Sequence, residues 1–407
     1  MIPAGPTGAA RAAETVARAA YGRLVAILAA RNGDIAAAED ALADAFAAAL
    51  ATWPAQGVPQ RPEAWLITAA RHRLIDAGRR QGRAPVTTLA DLPEVAAMQT
   101  DPDAIPDARL RLLFTCAHPA IDASIRTPLM LQTVLGLEAG VIARAFHLPA
   151  AAMAQRLVRA KHKIRDAGIG FALPDRGEMP ARLPAVLEAV YGAYATAWLA
   201  PDGGDLSQEA LFLADLLANL LPDDAEALGL AALIGLSLSR RAARLDAGGA
   251  LVALAAQDTA LWNGPMIGAA RHYLARAQAL GAPGRFQIEA AIEDAHVTRR
   301  DTGQTDWPAI AILTGWLAQH WPSLGALVQH AAALAEVDGP AAGLAALDAL
   351  PPEALDFQPA LATRAHLLER LGQINAARAS FARALAVTAP GPLALYLAAR
   401  QAALRDG

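Results

Sequence analysis

Residues 136–165 read GLEAGVIARAFHLPAAAMAQRLVRAKHKIR. Val141, Ile142 and Phe146 supply the apolar side of a short helix, and Leu148-Pro149 makes the turn after it. Met153, Leu157, Ala160 and Ile164 then recur at three- and four-residue spacing, the stripe of a second helix. The opposite face of that helix is expected to carry Gln155, Arg156, Arg159, Lys161, Lys163 and Arg165. A short helix, a tight turn and a basic second helix match a helix-turn-helix, whose second helix enters the major groove of duplex DNA. An ordinary helical hairpin is the alternative. The charge favours the first reading, since no acidic residue occurs between Glu138 and Asp166.

A second basic cluster lies upstream, where Arg71, Arg73, Arg79, Arg80 and Arg83 stand against Asp76 alone. Residues 1–170 hold 19 Arg/Lys against 15 Asp/Glu, whereas the remainder holds 16 against 24, so a net charge of −4 hides a basic front and an acidic rear. Clustered cations on one element are the footprint of phosphate contact, and solvated helix faces are the competing reading. Two such clusters, each ending a helical segment, favour nucleic acid.

The whole composition is helical. Of 407 residues 55% are hydrophobic and only 5% aromatic, alanine supplies about a quarter, and alternating β-branched runs are absent. An all-β fold and a disordered chain are both excluded. The single cysteine, Cys116, forms no internal disulfide, which fits a reducing compartment. Arg11, Glu14 and Arg18 interrupt the place where a signal peptide needs its apolar run, and no segment reaches about 18 uninterrupted apolar residues. A cytoplasmic protein with no membrane association is expected.

Along the chain, residues 11–31 read as an amphipathic helix ended by Asn32-Gly33, and Asp34 caps a second helix to about Thr52. Three prolines and a glycine make 53–62 a loop, and Pro62 opens a third helix to about Gln81. Residues 84–107 are polar, acidic and proline-bearing, as a linker is. A helix near 108–119 and another over 124–135 precede the helix-turn-helix. Beyond Pro174, Gly177 and Pro180 the chain is nearly all helix. Gly339 and Gly372 lie 33 residues apart, and Ala377, Phe381, Ala384 and Pro390 fall where the second helix of a tetratricopeptide (TPR) unit would place them. A plain helical bundle is the alternative.

No catalytic or metal motif competes. Cys116-Ala117-His118 lacks the further ligands of a closed zinc site. The other histidines are scattered, and no HExxH, GxSxG or phosphate-binding glycine loop occurs. Asp223-Asp224 reads as a helix cap. The chain is expected to be no enzyme and to need no cofactor or metal.

Several strings together resemble the extracytoplasmic-function (ECF) sigma factors of bacterial RNA polymerase, in the group with a long TPR-like C-terminal extension. AAAEDALADAF (36–46) is similar to the helix that binds the polymerase clamp, with Glu39, Asp40 and Phe46 in register, Asp44 standing for a usual Glu and Ala43 for a usual Gln. RPEAWLITAARHRLIDAGRR (61–80) is similar to the helix that contacts the melted minus-ten element. The strings RLRLLFTCAHPAI and 136–169 resemble region 4, which reads the minus-thirty-five element; TDWPAIAIL (305–313) and LAEVDGPAAGLAALDAL (334–350) resemble the extension.

The resemblance implies an all-α protein with sigma region 2 over 1–83, a linker over 84–107, a region 4 helix-turn-helix over 108–170 and a TPR-like regulatory extension over 171–407. Its partners would be the polymerase core enzyme and promoter DNA. The core would be met by Glu39, Asp40, Asp44 and Phe46, and the minus-ten element by Arg61, Trp65, Arg71, Arg73, Arg79 and Arg80. Gln155, Arg156, Arg159, Lys161 and Lys163 would meet the minus-thirty-five element. Ala150, Ala151 and Ala152 are too small to bond bases, so Gln155, Arg156 and Arg159 would carry the hydrogen bonds. By the same resemblance loop 53–62 would capture a flipped-out base, although Trp53 and Trp65 also suit a core. The acidic extension would pack on the basic sigma modules and regulate them. The competing function is a helix-turn-helix regulator with a helical-repeat sensor and no polymerase role, which leaves residues 36–80 without a purpose.

Overall fold

Gly33, at φ 72°, turns the chain between two helices, and Asp34 caps the second by accepting the Ala37 N–H at 3.1 Å. This computed structural model describes residues 8–80, 104–146, 148–198 and 204–404. Among them helices alone form the architecture, with one isolated β-bridge between Leu245 and Leu251. The all-α expectation holds. The chain divides into two compact units, Met1–Thr196 and Ala197–Gly407.

The first unit begins with α1 (Gly8–Asn32), α2 (Ile35–Gln56) and α3 (Pro62–Arg80), each packed on the other two. Ile35, Ala38, Leu42, Ala45, Ala49 and Trp53 recur every three or four residues along α2 and are all buried. That regularity carries the helix past its expected end. The loop read over 53–62 is helical to Gln56, with Pro54 inside the last turn. The buried Trp53 anchors this turn, and Gly57 (φ 83°) closes it by donating its N–H to the Trp53 carbonyl.

Then come α4 (Ala104–Cys116), which lies along α1, α5 (Ala123–Thr133), α6 (Ala139–Ala145), α7 (Ala150–Asp166) and α8 (Met179–Ala197). The linker expected over 84–107 falls outside the described residues except for its last four, which open α4. The division between units does not coincide with the boundary read at 170/171. Arg182 of α8 is buried and donates to the Phe114 carbonyl at 3.5 Å, and Gly192 lies against Leu131, so α8 closes the first unit's core.

In the second unit α10 (Ala225–Ser239) is buried at every residue except Glu226. It is wrapped by α9 (Gly204–Leu220), α11 (Gly264–Ala279) and α12 (Arg285–Val297). Asp224 caps α10 through the Glu226 and Ala227 N–H groups, as its sequence suggested. After the short α13 (Arg299–Thr302), helices α14 (Trp307–His320), α15 (Leu324–Val337), α16 (Pro340–Asp348), α17 (Gln358–Arg370), α18 (Ile374–Ala386) and α19 (Pro392–Ala403) each pack on the next. Gly339 (φ 92°) and Gly372 (φ 73°) make the turns before α16 and α18. Ala377, Phe381 and Ala384 are buried against Leu361 and Leu397.

Candidate nucleic-acid interface

The turn before α7 is built from backbone bonds. Phe146 donates its N–H to Ile142 and Leu148 to Ala143, and Pro149, extended at φ −61°, ψ 137°, caps the helix. His147 lies outside the described residues. Phe146, expected on the apolar side of α6, is exposed at its end. Met153, Leu157, Ala160 and Ile164 bury one stripe of α7 as expected. The opposite side is open to solvent and presents Gln155, Val158, Arg159, His162 and Lys163. Val158 is 50% exposed on this otherwise polar face. A valine methyl there suits apolar contact with a thymine methyl, beside donors suited to guanine or adenine edges.

Two of the expected contacts are engaged elsewhere. Arg156 is half-buried and donates to the Ser124 hydroxyl at 2.5 Å, which ties α7 to the start of α5. Ser124 in turn bonds Asp122, whose carboxyl those bonds, then the Arg156 and Arg126 charges, hold below the usual carboxylate range. Lys161 does not lie on the open face at all. It is 6% exposed and pairs with Glu39 of α2, Nζ to Oε2 at 2.5 Å. The reason is geometric. Position 161 follows the buried Ala160 and falls on the edge of the buried stripe, which α2 covers.

Region 36–80 supplies a second surface. Arg61, just before α3, is exposed, as are Arg73 and Arg79 on that helix, where Arg71 is half-buried. Burial, then the nearby Arg31 guanidinium, pulls the Arg71 pKa below its ordinary value. The Arg80 side chain and Arg83 lie outside the described residues. Trp65 is half-buried with its ring 5.6 Å from that of Trp53 at 68°, an edge-to-face pair, and Trp53 is only 2% exposed. Trp53 is therefore core, and Trp65 packs its ring edge against it.

On α2, Asp40 and Asp44 are exposed and Phe46 is half-buried, whereas Glu39 faces inward to Lys161. Burial pushes the Glu39 carboxyl above its usual range, and Lys161 partly offsets this. Of these features, His162, Val158, Ser124 and the Glu39–Lys161 pair were not singled out from the sequence. Helical spacing from Gln155 would have found Val158 and His162; nothing local announces a partner 122 residues away.

Among the described residues no three His, Cys, Asp or Glu side chains are grouped to hold a metal ion. Cys116 is fully buried, its sulfur 3.6 Å from the Thr133 hydroxyl, and burial pushes its thiol up to about 12. No helix among the described residues is long and apolar enough to cross a membrane.

Residues 16–84, which span α1 to α3, match the model of sigma-70 region 2. The chain carries a sigma-70 region 2 domain. Region 2 supports a sigma-factor role in transcription initiation by RNA polymerase, with binding to the core enzyme and to promoter DNA. Residues 182–278 match a family of unknown function, DUF6596. Over 379 residues the chain is 38% identical to the uncharacterized protein R00370 of Rhizobium meliloti (strain 1021), an alignment covering 90% of this chain and 89% of that one. The two sequences are thus related across both compact units. No solved structure matches the chain.

Proposed function

We propose that this sigma factor is of the ECF type, with region 4 in α4 to α7 and a TPR-like extension that regulates it. The observation that carries the reading is the open face of α7, where Gln155, Arg159 and Lys163 stand on a helix reached through a tight turn. In this reading α7 lies in the major groove at the minus-thirty-five element, Gln155 and Arg159 bond base edges, and Lys163 meets phosphate. Arg156 acts through Ser124 to hold the angle between α7 and α5. At the minus-ten element Arg61, Arg71, Arg73 and Arg79 steer the melted strand, and loop 57–61 receives an unstacked base. Asp40, Asp44, Phe46 and Glu39 meet the polymerase core.

The stacked helices α14 to α19 support the TPR-like reading, with turns 33 residues apart at Gly339 and Gly372. The acidic balance after residue 170 suits a domain that acts on a basic partner within the same chain, in the cytoplasm where polymerase works.

Run-off transcription with purified bacterial core polymerase on a promoter found by selection tests this, using the full chain and a truncation after Thr196. Specific initiation is the expected result, and a difference between the two proteins gives the sign of the extension's effect. Duplex binding without core binding would instead assign a helix-turn-helix regulator.

A further inference from the structure

Within the first unit, the segment that follows α7 borders a cavity of about 370 Å³, shared with the end of α4 and the first turn of α8. None of the residues assigned to DNA or to the polymerase core lines it. Ile169, Leu173 and Pro174 supply apolar wall, and Gly170 keeps one side open, since a Cβ there would meet no atom within 4 Å. Three polar side chains complete the lining: His118, Glu178 and Arg182.

Arg182 is only 6% exposed. One of its terminal nitrogens donates to Glu178 Oε2 at 2.8 Å and the other to the Phe114 carbonyl at a long 3.5 Å, while Nε has no partner among the described residues. Two acceptors leave a buried guanidinium, with its five N–H donors, short of partners. His118 accepts the Ala120 N–H at Nδ1, 3.1 Å away, which puts its own proton on Nε2 as a further donor. Burial, then the Arg182 charge, holds its pKa below the ordinary 6.5, so the ring is neutral at pH 7. Glu178 is the acceptor of the set, with a half-exposed carboxylate that commits only Oε2 to Arg182.

We propose that this cavity binds a free α-amino acid with an apolar side chain, its carboxylate held by Arg182 and His118, its ammonium by Glu178, and its side chain by Ile169, Leu173 and Pro174. Charge selects this class. One cation, one anion and a neutral imidazole balance, so the site suits a zwitterion better than a bare anion. The C-terminal ends of α4 and α7 add partial negative charge, which favours an ammonium nearby. Size agrees, because small-molecule sites begin at about 300 Å³. A bound amino acid would touch the end of α4, the segment leaving α7 and the start of α8, the helix in which the DUF6596 match begins. It would thereby join the helix that carries Gln155 and Arg159 to that segment. The site itself does not depend on what α7 binds.

Titration calorimetry of the full chain tests this with L-leucine, L-isoleucine, L-valine, L-methionine and L-phenylalanine as probes. At least one should bind at a single site. N-acetyl-L-leucine, which lacks the ammonium, and L-leucinamide, which lacks the carboxylate, should bind about tenfold more weakly than L-leucine or not at all. His118→Ala and Glu178→Gln should each weaken binding about tenfold. Gly170→Leu should fill the cavity and abolish binding with the urea midpoint unchanged, because its side chain enters open space; this variant guards against a Glu178→Gln protein that fails to fold. No heat with any of the five amino acids overturns the proposal. So does equal binding of the acetyl or amide derivative, or binding unaltered in both His118→Ala and Gly170→Leu. Each of these results leaves the sigma reading in place, and failure of the transcription assay leaves the site in place.

Discussion

Trp53 and Trp65 meet edge to face at 5.6 Å, the first buried at the end of α2 and the second half-buried on α3. Between them the chain makes only the short connection 57–61, so the pair sets how that loop leaves its two helices. An edge-to-face pair of this kind contributes ~1 kcal/mol beyond its buried area.

Trp53→Ala therefore opens a cavity and should cost about 3–5 kcal/mol in urea unfolding of the full chain. Trp65→Ala should cost less, because its ring keeps part of its surface in water. Its larger effect should fall on affinity for single-stranded minus-ten DNA, measured by fluorescence anisotropy. Equal stability losses for the two variants would contradict the assignment of Trp53 as the core member.

On the open face of α7, Arg159→Ala should weaken binding to the cognate duplex by about 1–3 kcal/mol and relax preference at one base position. Lys163→Ala should weaken all sequences alike and reduce the salt slope by about one, as a phosphate contact does. Arg156→Ala should act as Ser124→Ala does, since the two side chains share one hydrogen bond. Competition binding at several salt concentrations separates these outcomes.

Within the second unit, Glu226 of α10 accepts the Phe286 and Gln287 N–H groups at 3.1 and 3.2 Å and so caps α12 from a neighbouring helix. Glu226→Ala should cost about 1–2 kcal/mol, comparable to losing a local cap. Gly229 lies against the same backbone, where a Cβ would stand 2.5 Å from the Gln287 nitrogen. Gly229→Ala should cost about 1–3 kcal/mol by overpacking, read from guanidinium unfolding.

His296 packs edge-on to Trp307, and burial holds its pKa below the ordinary 6.5, as it does for His366. The unfolded chain then takes up these protons first as pH falls. Stability from the neutral imidazoles is complete above about pH 6.5 and is lost below it, down to the lower folded-state pKa, by at most about 1.4 kcal/mol per pH unit for each histidine. Urea midpoints at pH 7.5 and 5.5 should show the loss, and His296→Gln should reduce it.

Much of this protein was legible one helix at a time. Asp34, Pro62 and Asp224 announced helix starts, and the spacing of Met153, Leu157, Ala160 and Ile164 oriented α7 before any neighbour was known. These features depend on the i, i+3 and i, i+4 geometry of a single helix, which the local sequence carries in full. Where propensity and packing disagreed, packing prevailed: three prolines and a glycine made 53–62 a loop on paper, yet burial of Trp53 held Pro54 inside α2.

The amino-acid order by itself determined an all-helical chain, its basic front and acidic rear, and the buried stripe of α7. Only the tertiary structure decided which edge of the α7 stripe is covered. Lys161 and Lys163 are the same residue type two positions apart, yet one is buried against Glu39 and the other is exposed. An apolar stripe spans about 100° of a helix, and its edges belong to whichever element docks beside it. That neighbour, α2, lies 122 residues away at the point of contact, beyond the reach of any local pattern.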